Sequence, residues 1–276
     1  MTTVQMNPAT PITASRSPRP ASFSHTLASE WSKLATLRST YITLSLGVLL
    51  SIATTALTAL AIGATRANVP DNFDPITISM IGTIFGLIVY SVFGVLAVSR
   101  EYSSGMIRLT LIATPNRSRV FFAKFALVGF IILVAGLVTT VGMFFAGQAV
   151  LGAYGMPVAS LGDPDAQRMV FGLGAAMVFF PTLGLAFGVL LRSTAGAITT
   201  VLGLLWLPQI VGELAPRWSQ EHILSLLPSN GVDSMTVGHM QHNPAFSDPA
   251  IGALIAATWL VTIVGAAYLQ FLRRDA

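Results

Sequence analysis

Six apolar stretches, at residues 41–64, 77–98, 121–151, 167–191, 194–212 and 250–272, constrain this chain more than any other feature. A helix that crosses a bilayer needs about 20 mostly apolar residues, and each stretch meets or approaches that length. In hydrocarbon only helices and closed barrels satisfy their backbone polar groups. None of the six runs alternates with the period of two expected of a barrel strand. The sequence therefore predicts an all-α integral membrane protein with six transmembrane helices. Composition agrees: 53% of residues are hydrophobic and 9% charged, against about 25% charged in a soluble domain. An ordinary globular enzyme is excluded. The net charge of +4 does not indicate nucleic acid, because the basic residues flank the spans instead of forming a patch. With no cysteine, disulfides, thiol catalysis and thiolate metal sites are excluded.

The flanking charges set an orientation. With the N-terminus in the cytoplasm, Arg66, Arg168 and Arg217 are the only basic residues in outer segments, and all other Lys and Arg fall inside. The positive-inside rule then places both termini in the cytoplasm of a multi-pass cell-membrane protein. Residues 1–22 carry Pro8, Pro11, Pro18 and Pro20 among Ser, Thr and Ala, and read as a disordered cytoplasmic tail. No cleavable signal is visible. Residues 23–276 form the six-helix transmembrane domain.

The connections hold most of the information. In residues 23–39, Phe23, Leu27, Trp31 and Leu34 recur at helical spacing, with Glu30, Lys33 and Arg38 around the rest. This pattern predicts a helix lying in the membrane interface among lipid headgroups, with a plain extension of the first span as the alternative. The segment 99–119 between spans two and three is too apolar for a solvated linker, with Met106, Ile107, Leu109, Leu111 and Ile112. It predicts a short cytoplasmic helix after a bend at Gly105, ending near Ala113. Thr114 would cap the next helix and Pro115 would occupy its first position. A short helix with exposed apolar residues needs a partner surface. Arg192 and Ser193 make up the whole turn between spans four and five. Beyond span five, residues 223–227 are too short to span. They read either as a re-entrant-like piece dipping into the outer leaflet or as a surface helix. Pro228 would end that piece, and Asn230-Gly231 would turn the chain back. Pro208 is expected to bend span five, Gln209 to satisfy a freed carbonyl, and Pro208, Leu226 and Pro228 to mark an outer gate.

Much chemistry is missing. No phosphate-binding Gly-x-x-x-x-Gly-Lys-Ser/Thr motif is present. No ionisable side chain lies in the centre of a span, where proton-coupled carriers need one. No paired interrupted helices are evident. His239 and His242 have metal spacing but no third ligand, so no metal site is assigned. Nothing in the chain argues for catalysis.

From Ser29 to Arg274 the chain resembles the membrane subunits of type 2 ATP-binding cassette exporters, the six-helix permeases of bacteria. The resemblance is carried by Arg100-Glu-Tyr-Ser-Ser-Gly105, then Pro115-Asn-Arg-Ser-Arg119 and Lys124. Ser29-Glu-Trp-Ser-Lys33 and Leu37-Arg-Ser-Thr40 look like the elbow of actinobacterial members. The resemblance implies that residues 99–119 couple the permease to a separate ATPase, which binds ATP and Mg while this chain holds no cofactor. Leu109, Leu111 and Ile112 would fill a groove on that ATPase, and Arg100, Glu101 and Arg108 would orient the helix. It also implies a dimer with a second copy or a close paralogue. Spans two and five would wall the cavity, placing Phe85, Tyr90, Phe93 and Trp206 against a hydrophobic or amphipathic cargo such as an antibiotic, drug, peptide or lipid. Gly82-x-x-x-Gly86 and Gly184-x-x-x-Gly188 permit close helix approach, either between subunits or within one. The competing readings are a non-transporting immunity or sensor protein and, less favoured, a secondary carrier.

Overall fold

The computed structural model describes residues 22–65, 73–114, 116–236 and 245–273. Its elements are helices joined by short turns. The expectations for residues 1–21, Arg66, Pro115, His239 and His242, and for the side chain of Pro208, lie outside the described residues. Six segments are long and apolar enough to cross a membrane: Arg38–Ala64, Pro75–Ser103, Arg117–Ala153, Pro164–Leu191, Thr194–Gly212 and Pro249–Arg273. The protein is an all-α integral membrane protein.

Helix α1 (Phe23–Thr36) is capped by Ser22, whose hydroxyl accepts the His25 amide, and ends at the extended Leu37. Arg38 therefore opens α2 (Arg38–Ala64) and is not part of α1. Along α2 the buried residues Gly47, Ser51, Thr55, Ala59 and Gly63 recur every fourth position. This stripe of small side chains lets neighbouring helices approach closely. A Cβ on Gly47 would lie 2.4 Å from the Tyr90 ring, and one on Gly82 would lie 2.0 Å from the Ser51 carbonyl oxygen.

Spans two and four are both interrupted, contrary to the sequence reading. Span two is α3 (Pro75–Ser79) and α4 (Thr83–Ser103), joined by a turn at Met80, Ile81 and Gly82. There the Gly82 amide donates to Thr55 Oγ1 instead of continuing the helix, and Thr55 Oγ1 donates to the Ser79 carbonyl. Span four is α7 (Pro164–Ala176) and α8 (Phe179–Leu191), with a turn at Met177 and Val178. Pro181 explains it: proline lacks the amide hydrogen owed to the Met177 carbonyl, and its ring crowds that carbonyl. Beyond the breaks, α4 and α8 pack face to face at the centre of the bundle. Gly184 and Gly188 press on Val95 and Val98, and Gly82 and Gly86 press on α2 and Met177. Both Gly-x-x-x-Gly motifs are thus occupied within one subunit.

The short helix α5 (Met106–Ala113) follows Gly105, which is left-handed at φ 71°. Helix α6 (Arg117–Ala153) is about 55 Å long at 1.5 Å per residue, well beyond a hydrocarbon core of about 30 Å. Asn116, not Thr114, caps it, accepting the Arg119 amide at 3.1 Å. Arg192, at φ 50°, and Ser193 connect α8 to α9 (Thr194–Leu214). Helix α9 runs unbroken through position 208. After α10 (Arg217–His222) and a 3-10 turn (Leu224–Leu226) comes α11 (Pro228–Thr236). Pro228 opens this helix instead of closing the previous piece, and Asn230 and Gly231 lie buried inside it. A Cβ on Gly231 would approach the Gly252 carbonyl at 3.1 Å, so α11 sits tightly against α12 (Pro249–Arg273). The element drawn into the bundle is therefore 228–236, not 223–227.

Candidate functional site

At one end of the bundle, four ionisable side chains from three helices form a cluster. Lys124 of α6 places Nζ 2.7 Å from Glu101 Oε1 of α4 and in direct contact with Glu30 Oε2 of α1. Lys33 of α1 bonds Glu30 Oε1 at 2.6 Å and reaches Glu101 Oε1 at 3.4 Å. Lys33 Nζ also donates to Thr110 Oγ1 of α5 at 3.0 Å. Two carboxylates and two ammoniums thus tie together α1, the end of span two, α5 and the start of span three.

The cluster is deep. Glu30 is 2% exposed and Lys124 6%. Charges taken out of water are tolerated only when paired and hydrogen-bonded, and removing one partner typically costs about 3–5 kcal/mol. Burial pushes the Glu30 carboxyl up, but attraction and hydrogen bonds from Lys124 and Lys33 outweigh it and hold the carboxyl below its usual range. Among the described residues, Glu101 Oε2 has no hydrogen-bond partner. Glu101 lines an adjoining cavity of about 470 Å³, walled by Leu34, Leu37, Phe93 and Arg100 among others. Arg100 donates to Ser39 Oγ at 2.6 Å across it.

Helix α5 hangs from this cluster with one side turned in and one turned out. Ile107, 3% exposed, is anchored in the core, and Leu111 packs against the same core. Leu109 and Ile112 are 67% and 77% exposed, and Met106 and Arg108 are exposed beside them. The outward apolar face is thus Met106, Leu109 and Ile112, and Leu111 does not belong to it. Arg119 stands in the first turn of α6, away from that face.

Other residues singled out from the sequence fall elsewhere. Glu101 points inward to the lysines, not outward. Glu30 and Lys33 also face the protein, while Trp31 is exposed on the flank of α1 and Arg38 on α2. Of the four cavity residues, Tyr90 is fully buried and bonded to Thr139 at 2.6 Å. Phe85 lies on the outer surface of the subunit, and Phe93 is a core residue at the edge of the cavity beside Arg100. Only Trp206 lines the cavity at the opposite end. Leu226 is exposed, its carbonyl accepting the Trp259 indole at 2.9 Å. Gln209 donates to Asp233 Oδ2 and not to a freed carbonyl of its own helix.

The joining of Glu30 to Lys124 was not readable in advance, because their pairing bridges 94 residues. The one available signal was an acid and a lysine, Glu101 and Lys124, at opposite ends of the same connection.

No curated protein matches the chain at a significant level. A family model described as the ABC-2 family transporter protein matches residues 26–207, from α1 through most of span five. That match takes in the whole charge cluster, α5 and both interrupted helices. The chain belongs to the ABC-2 family of transporter membrane proteins.

Proposed function

We propose that this chain is the export permease of a bacterial cell membrane, working as a dimer with a second copy or close paralogue and driven by two separate ATPase subunits. Both termini face the cytoplasm in this reading, which puts α5 and the charge cluster on the side where ATP is found. ATP and Mg belong to the partner, and this chain contributes no catalytic group. One observation carries the proposal: the exposed apolar face of α5, whose other side is anchored in the core through Ile107 and tied to α1, and through its charge cluster to α4 and α6, by the Lys33–Thr110 bond. An exposed apolar helix face on a charged membrane boundary calls for a protein partner. A push on α5 would reach α1, α4 and α6 together, and those helices carry the motion into the bundle. The cargo is a hydrophobic or amphipathic molecule exported by alternating access.

The test is co-purification with the ATPase encoded beside the permease. Ile112→Asp places a charge in the proposed contact, which costs several kcal/mol when desolvated and unpaired. The variant should insert and fold normally but lose the ATPase in a pull-down. Undiminished association and transport in Ile112→Asp and Leu109→Asp would refute the docking role of α5.

A further inference from the structure

At the end of the bundle away from the charge cluster, the two interrupted spans, α9 and α11 enclose a cavity of about 460 Å³. That size suits a drug-sized molecule. Most of its wall is apolar, with Ile84, Met177 and Trp206 on different sides. Thr77 and Thr83 also line it, but their hydroxyls are bonded locally, to Asp74 and to the Met80 carbonyl; the remaining polar groups are gathered on one side. Ser229 and Asp233 stand one turn apart on α11, so they share a face, and both line the cavity. Gln209, on the same side of α9 as Trp206, donates Nε2 to Asp233 Oδ2 at 3.2 Å.

Two features of this polar side point to a ligand. Ser229 is 3% exposed, and among the described residues its hydroxyl has no hydrogen-bond partner. A buried hydroxyl left unpaired is costly, and one lining a cavity is satisfied by the polar atom, a ligand's or a water's, that occupies it. Asp233 receives the Gln209 donor, and among the described residues no cation pairs with it. Burial raises its carboxyl to about 6, with the Gln209 hydrogen bond opposing. At neutral pH the cavity therefore holds a carboxylate that no described residue neutralises, beside a hydroxyl that none pairs, facing an apolar wall.

We propose that this cavity binds a cationic amphiphile, with an ammonium group between Asp233 and Ser229 and an apolar body against Trp206, Met177 and Ile84. An anion would meet the Asp233 charge, and a neutral apolar molecule would leave both polar groups unanswered. An ammonium supplies several donors to carboxylate and hydroxyl at once. The fate of the bound molecule rests on the export reading above, but the binding itself does not.

The experiment uses the purified full chain without ATPase or nucleotide. It is titrated with dansylcadaverine, a primary ammonium on an alkyl chain ending in a dansyl ring, and with the neutral analogue lacking the amine. The ammonium probe should bind at least tenfold more tightly. Asp233→Asn, nearly isosteric and still able to meet Gln209, should abolish that preference while leaving the neutral probe's affinity unchanged. Ser229→Ala should weaken the ammonium probe several-fold. Trp206→Phe should lower tryptophan-sensitised dansyl emission from the bound probe, a readout that does not depend on the Asp233 variant folding. Equal binding of the two probes, an undiminished preference in Asp233→Asn, or sensitised emission wholly undiminished in Trp206→Phe would each overturn the site. Loss of the probe preference with ATPase association intact condemns this site alone. Loss of association with the preference intact condemns the docking proposal alone.

Discussion

Lys33 and Thr110 meet at 3.0 Å across 77 residues of sequence, and their hydrogen bond ties α1 to the short helix α5. A hydrogen bond from a charged donor contributes about 1.5–3 kcal/mol. Thr110→Val removes the acceptor and leaves the Ile107 anchor in place. We expect Thr110→Val to bind the ATPase normally but to lose about tenfold in substrate-stimulated ATP hydrolysis. Steady-state phosphate release by the reconstituted complex measures this, and unchanged stimulation would show that the link transmits nothing.

Replacing Lys124 by Met leaves Glu30 and Glu101 facing each other inside the protein. We expect a loss of about 3–5 kcal/mol and a clear drop in the melting temperature of the detergent-solubilised permease. Adding Glu101→Gln should restore part of it, since one buried charge then remains against Lys33. A melting temperature unchanged in Lys124→Met would mean that the cluster is hydrated, not buried.

Two glycines should respond oppositely to diagnosis by alanine. Gly105 has open space around it, so Gly105→Ala pays only the left-handed backbone strain, about 1–2 kcal/mol. Gly82→Ala drives a methyl to 2.0 Å from the Ser51 carbonyl oxygen, which forces α2 and α4 apart. We expect mild loss for the first and severe loss of folded yield for the second, read by size-exclusion profile and thermal melting.

The Asp233 carboxyl, raised from 3.8 to about 6, gives a pH signature. Its folded state holds the proton more tightly than the unfolded chain, so its contribution to stability improves as pH falls through about 6 toward 4. It is least favourable above 6. Asp165 and Arg168 on α7 and Arg273 on α12, the charged groups described on the packed neighbours, add nothing to the shift, which burial sets against the Gln209 hydrogen bond. Dansylcadaverine affinity should therefore be flat from pH 7 to 8 and fall below about 6 as the carboxylate is neutralised. Asp233→Asn should show neither trend, in a titration of affinity and melting temperature against pH.

The six spans were legible because about 20 apolar residues in a row have few other fates, and the observed ends differ from the expected ones by a few residues at most positions. The bend at Gly105 was legible too, since a glycine before a short amphipathic run has a local reason. What hydropathy misread was the facing of α1. It places charges toward water, yet Glu30 turns inward because Lys124 and Lys33 are there to receive it, and that partnership is non-local. The break in span four was written as Pro181 but was masked by the apolar residues around it. Pro228-Ser-Asn-Gly231 looked like a turn, and only packing against α12 makes it helical, a tertiary contact overriding local preference.

An unbroken span must tilt or slide as a single rod. Here α4 and α8 are locked together through Gly94, Gly184 and Gly188, while α3 and α7, the pieces beyond the two breaks, rest chiefly on α6. Spans two and four are thus cut at one level, where Met80 and Met177 line the same cavity, while α2, α6, α9 and α12 run on unbroken. Single turns join α3 to α4 and α7 to α8, so these two short half-spans are the part of the cavity wall that can shift without dragging the α4–α8 block, which close glycine packing holds together.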